Sequence, residues 1–154
     1  MIENRLFFLK EAFPTFEIQF ADDFSKAEIL NPNYDENIIV TDDEIEFTVF
    51  FSFQHCHLEA EEAVVEWIRD LANGNKFAIE FFDHGRDRFG GEIDAEILQD
   101  LTYEKLEQFT GYYGSTKLPD VADSFKIRSW DGKNNFDCKF RREANGMISI
   151  DTDY

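Results

Sequence analysis

The chain has 154 residues, 43% hydrophobic and 31% charged, with 33 acidic against 15 basic side chains and a net charge of −18. That composition excludes disorder and fibre and describes one globular domain, 1–154, large enough to bury a core without disulfides or a structural metal. A field of that sign repels nucleic-acid backbones and anionic membrane surfaces and attracts basic proteins, so direct nucleic-acid and membrane binding are disfavoured.

The opening segment carries Ile2, Leu6, Leu9 and Phe13 at three- and four-residue spacing, a helical stripe that Pro14 ends. Thr15–Phe20 and Ile45–Phe53 alternate apolar and polar residues and predict strands. Between them Asn31–Asn37 is turn chemistry, with Ile38–Val40 a short strand before Asp42 and Asp43. The spacing of Ala60, Val64, Trp67, Ile68 and Leu71 predicts a helix over Glu59–Asn73, with early glutamates suiting its dipole and Gly74 as its C-cap.

Lys76–Phe82 reads as a strand, and Phe89–Ile93 as its hairpin partner across the charged turn Asp83–Arg88. Thr102 is the expected N-cap of a short helix carrying Tyr103, Leu106 and Phe109, closed by Gly111 and Gly114. Phe125–Trp130, Phe136–Arg141 and Met147–Ile150, joined by Asp131–Asn135 and Ala144–Gly146, form a C-terminal β-meander. The expected class is α+β: a mostly antiparallel sheet with two or three helices packed on one face. Eighteen Phe, two Trp and five Tyr make its core largely aromatic.

Cys56 and Cys138 form no CxxC motif and no disulfide framework, as in proteins of a reducing compartment. The N-terminal segment has neither a basic start nor a long apolar run, and no stretch approaches the roughly 20 apolar residues of a membrane span. The expected location is the cytoplasm.

His55-Cys56-His57 would place two histidines on one face of a strand, where they could share a metal. If the preceding strand continued, however, His55 and His57 would share the core parity of Phe51 and Phe53, and a third ligand from His84, Cys138 or a carboxylate has no telling spacing; core or strand-end packing is the preferred reading. Residues 85–91 have the glycine spacing of a phosphate loop, yet Gly91 and Glu92 stand where lysine and serine or threonine are required. Asn31, Asn33, Asp35 and Asp42 fall on calcium-loop positions, but Glu36 replaces the obligatory glycine. No nucleophile motif or distinctive carboxylate pair emerges, and neither catalytic residue, resident metal nor cofactor is expected.

Charge distribution is the more useful signal. Residues 1–100 hold 24 acids and 7 bases, whereas residues 101–154 hold 9 and 8. Two runs concentrate the acids: Asp35, Glu36, Asp42, Asp43, Glu44 and Glu46 without a base, then Glu59, Glu61, Glu62, Glu66 and Asp70 against Arg69 alone. These runs, represented by Glu59, Glu62 and Glu66 in the second, form the expected docking surface for a basic protein. In the meander, core-facing Phe125, Ile127 and Cys138 would leave Lys126, Arg128 and Trp130 on an outer face whose Trp/Arg composition suits a binding hot spot, unless Trp130 ends its strand under a neighbouring loop or helix acids cover the basic stripe.

In size, charge and fold class, though in no motif, the chain resembles the immunity proteins that bacteria carry against their own secreted toxins, many of them basic nucleases. The resemblance implies a non-catalytic inhibitor whose acids steer and hold a basic toxin, and it supplies no site residues. The alternatives are an adaptor or subunit domain binding through the Trp130 face or a sheet edge, and a small enzyme with a metal at His55 and His57. The sequence leaves partner identity and oligomeric state open.

Overall fold

The computed structural model describes residues 3–107 and 122–153; Ile2, Phe109, Gly111 and Gly114 lie outside them. The first half runs α1 (Phe8–Ala12), β1 (Ile18–Phe20), β2 (Lys26–Ile29), β3 (Ile38–Asp42), β4 (Phe47–Phe51), β5 (Gln54–Leu58) and α2 (Glu61–Ala72). The second half runs β6 (Lys76–Asp83), β7 (Arg86–Asp94), α3 (Ala95–Leu98), α4 (Tyr103–Leu106), β8 (Ser124–Arg128), β9 (Phe136–Arg142) and β10 (Ile148–Asp153). The class is α+β with wholly antiparallel pairing, as the alternation patterns predict.

Instead of one sheet there are two of five strands: a meander β1-β2-β3-β4-β5, and a second sheet ordered β10-β9-β8-β6-β7. Each has its own helical cover. In the first, Ala27, Ile29, Ile38, Val40, Val49 and Phe51 point inward against Leu6, Leu9 and Phe13 of the α1 region and Val64, Trp67, Ile68 and Leu71 of α2. In the second, Phe77, Ile79, Phe81, Ile93, Phe125, Ile127 and Cys138 meet Tyr103 and Leu106 of α4. The α2 stripe forms where its spacing requires, and Gly74, at φ +73°, takes the left-handed position past the C-cap while the Asn75 amide reaches back to the Asp70 carbonyl.

The two units meet along β6. Its odd-numbered apolar residues serve the second core, while Ala78 on the opposite face joins the first. Phe82, also on that opposite face, meets Phe53 of the β4–β5 turn edge-on at 5.6 Å, and the Arg128 guanidinium lies over Phe53 at 5.8 Å.

Trp130 is the other half of the junction, and here the structure overturns the exposed-face reading. Strand β8 stops at Arg128, so strand parity no longer governs residue 130. The chain turns inward, and the indole packs with Phe16 and Phe51, at ring centroid distances of 6.1 and 6.0 Å, with 4% of Trp130 exposed. The β2–β3 loop holds this turn in place: Asn31 Nδ2 donates to the Trp130 carbonyl at 2.9 Å and the Tyr34 hydroxyl to the Ser129 carbonyl at 2.5 Å. Trp130→Ala should therefore lower stability by about 3–5 kcal/mol, as expected for a buried aromatic truncation. A urea unfolding curve of the variant checks this, and a loss under about 1 kcal/mol would show that the junction does not depend on the indole.

Candidate functional site

The first half of the molecule carries a continuous acidic surface built from three adjoining depressions. One lies between the N-terminal segment and the β3–β4 turn, with Glu3, Arg5, Asp23, Asp42 and Glu44 in its walls. The next shares Glu3 and Arg5, adding Glu11, Glu59 and Glu61. The third is a groove of about 750 Å³ between α1 and α2, sharing Glu11 and Glu61 and adding Glu62, Glu66 and Arg69. Together they present nine carboxylates and two arginines.

Both arginines are partly committed to their own fold. Arg5 pairs with Asp42 at 3.3 Å and lies 5.6 Å from the centre of the Phe47 ring, while Arg69 sits 5.9 Å from the centre of Phe13. Phe47 in turn meets Phe8 of α1 edge-on at 5.5 Å, which fixes the N-terminal segment between the turn and α2.

The β3–β4 turn is held by its own acids. Asp42 accepts the Glu44 amide at 2.9 Å, and Asp43 accepts the amides of Ile45 and Glu46 at 3.0 and 2.7 Å. Those amide donors, that of Glu46 first, hold the Asp43 carboxyl below the ordinary aspartate range. Glu46 also contacts His57 Nδ1 at 2.8 Å, tying the turn to β5. Glu44 occupies the left-handed region at φ +74°, and Ile45 at the tip is 85% exposed.

The structure therefore joins most of the acids singled out in the sequence. Asp42 and Glu44 line the surface beside Glu59, Glu62 and Glu66, and Asp43 and Glu46 brace the turn. Asp35 and Glu36 do not join them. They precede β3, whose length of five residues separates them from the turn by roughly 15 Å, on the loop fastened to Ser129 and Trp130. The sequence reading missed Glu3, Arg5, Glu11 and Asp23, although Glu3 and Glu11 flank the Leu6–Leu9–Phe13 stripe on its polar side. The basic residues of the meander are partly compensated within their own sheet: Arg128 pairs with Asp137 at 2.8 Å, and Arg141 with Glu143 at 3.1 Å and Asp151 at 3.6 Å.

His55 and His57 do not take the core parity. The chain reverses at Ser52 and Phe53, Ser52 adopting φ +54°, and pairing of β5 with β4 then turns both imidazoles outward and Cys56 inward. Their rings lie edge to face at 5.1 Å. Among the described residues the one trio of possible metal ligands within 4.8 Å of one another is Asp83, His84 and Asp123. There the His84 side chain is 88% exposed and turns Nε2 towards Asp83 and Nδ1 towards Asp123, at 3.8 and 3.7 Å. Residues 86–91, with the phosphate-loop spacing, belong to β7, and the calcium-loop residues Asn31 and Asn33 give their amides to the Trp130 carbonyl.

A second feature went unnoticed in the sequence. Glu80, in the middle of β6, is 5% exposed and makes no hydrogen bond or ion pair among the described residues. It shares the face of Ala78 and Phe82 at the junction of the sheets, opposite Gly90 on β7 and Lys126 on β8. Gly90 is required there: a Cβ would collide with the Glu80 carboxylate and lie 2.6 Å from the Ile79 carbonyl. Lys126 leans away over the Phe82 ring, at 5.3 Å. Burial, with Asp87 adding to it, pushes the Glu80 carboxyl up to about 7. Beside it a cleft of about 310 Å³ opens between Gln54, Cys56, Trp67, Gly90 and Glu92. Burial and the neighbouring Glu92 also raise the Cys56 thiol, which disfavours the thiolate that nucleophilic chemistry needs.

Because Glu80 binds its proton more tightly in the folded chain, its contribution to stability is complete below the ordinary glutamate range and is lost as pH rises through about 7. Glu80→Gln should raise stability at about pH 8 by on the order of 2 kcal/mol and leave it nearly unchanged at about pH 4, which paired urea titrations would show. An equal effect at both pH values would exclude Glu80 as the titrating group. Among the described residues no helix is long and apolar enough to cross a membrane. Comparison with protein-family models, curated proteins and solved structures gives no match.

Proposed function

We propose that the protein is a non-catalytic binder that neutralises a basic toxin or effector in the cytoplasm, in the manner of the immunity proteins that its size, charge and class resemble. The observation that carries this reading is the continuous surface of nine carboxylates against two arginines, spanning the β3–β4 turn, the N-terminal segment and α2. Clustered charge of one sign raises the encounter rate with an oppositely charged partner, and a turn fixed before binding loses little entropy on docking. Exposed Ile45 and Phe7 lie beside those acids and suit the role of apolar anchors within a charged rim. The Trp130 face of the adaptor alternative is closed, since that side chain is in the core, which leaves that reading a sheet edge alone.

Capture from a lysate of the source organism at about 0.05 M salt should retain one basic protein at equimolar ratio, released towards about 0.5 M as screening grows. Co-expression with the captured protein should abolish that protein's toxicity. The quadruple variant Glu44→Gln, Glu59→Gln, Glu61→Gln, Glu62→Gln should associate with it about 10–100-fold more slowly at low salt, with the difference vanishing at high salt. An unchanged association rate at low ionic strength, or a captured partner that is acidic or neutral, would overturn the proposal.

A further inference from the structure

We infer that the groove between α1 and α2 receives one amphipathic, lysine- or arginine-flanked helix of the basic partner. The inference rests on the basic-partner reading and adds the form of the segment that enters the acidic surface. The groove has an apolar floor, Phe8 and Ala12 from one turn of α1 and Val65 from α2, all packed on the first core from its outer side. Glu11 stands on one wall, and Glu61, Glu62 and Glu66 on the other. Such a section, apolar below and anionic on both sides, complements a segment with an apolar stripe between cationic flanks.

Backbone chemistry selects a helix over an extended peptide. A strand docks by pairing with free amides and carbonyls along a sheet edge, and the residues that line the groove all belong to α1 and α2. An extended segment would leave its own backbone unpaired there, whereas a helix brings its backbone already satisfied and recognises through side chains alone. Length agrees: lining residues from Glu61 to Arg69 span about 12 Å of α2, enough for about two helical turns of the partner. Arg69 closes one end, so the partner's cations belong at the end of Glu11, Glu61 and Glu62.

A direct probe is a 16-residue peptide of Leu, Ala and Lys with Leu on a single helical face, compared with its scrambled isomer of equal charge. Titration of each into the full-length protein is followed by backbone NMR shifts at about 0.05 M salt, where surface charges are weakly screened. The helical isomer should bind at least tenfold tighter, with shifts centred on Phe8, Ala12 and Val65. The double variant Glu62→Lys, Glu66→Lys, at two exposed positions, should weaken it at least tenfold. The control Asp35→Lys, Glu104→Lys makes the same charge change elsewhere and should weaken it less than threefold.

Equal binding of both isomers, or equal weakening by both double variants, would overturn the groove while leaving attraction to basic proteins intact. Binding of neither isomer would overturn the groove and the basic-partner reading together.

Discussion

The fold depends on β6 being buried on both faces. A half-buried antiparallel strand needs only one apolar parity, but β6 lies where a second sheet begins, with Phe77, Ile79 and Phe81 in one core and Ala78 in the other. Everything near the junction follows from this double duty. Trp130 must turn inward to fill the space beside Phe16 and Phe51, Phe53 must reach down from the β4–β5 turn to Phe82, and Gly90 must lack a side chain. Glu80, caught there, makes no hydrogen bond or ion pair among the described residues, and burial pushes its carboxyl up to about 7. A carboxyl placed so gives the packing of the two units a dependence on pH near neutrality.

How much of this could be read from the chain depends on whether local pattern and tertiary context agree. The helix α2 was legible because its stripe, acidic first turn and terminal glycine all point the same way. The C-terminal hairpins were legible because their turns carry Asn, Asp and Gly. Strand β2 was not, since Lys26-Ala27-Glu28-Ile29 has just two apolar residues, too short an alternation to mark a strand. The reversal at Ser52 was hidden for the opposite reason: it lies inside a run of Phe that reads as one long strand, with no Gly or Asn to mark it. That reversal decides which way His55 and His57 face. Trp130 and Glu80 are the clearest cases, because parity places a side chain on a face and says nothing of whether another sheet covers it.

The acidic surface was legible as composition and only partly as geometry. Sequence proximity grouped Asp35 and Glu36 with the acids of residues 42–46, yet a strand intervenes and carries the two groups to opposite ends of the first sheet. Distance along the chain separated Glu3 and Glu11 from the α2 glutamates, yet Phe8 packing on Phe47 brings them to one surface. Apolar contacts thus decide which charges become neighbours.

The scarce cations follow the same logic. Among the described residues, Arg5–Asp42 is the one lysine or arginine ion pair within residues 3–75; Lys10 and Arg69 instead stand over the rings of Phe20 and Phe13. A cation over a ring face gains from the ring quadrupole and covers apolar surface with its stem, without cancelling a carboxylate. The surface thereby keeps nearly all of its negative potential while its cations stabilise the aromatic core beneath. Self-repulsion among the uncompensated acids opposes folding, and burial of the α1 and α2 stripes on the first sheet must exceed it. A basic partner would relieve that repulsion on binding, so the same charge density that strains the free protein favours the complex.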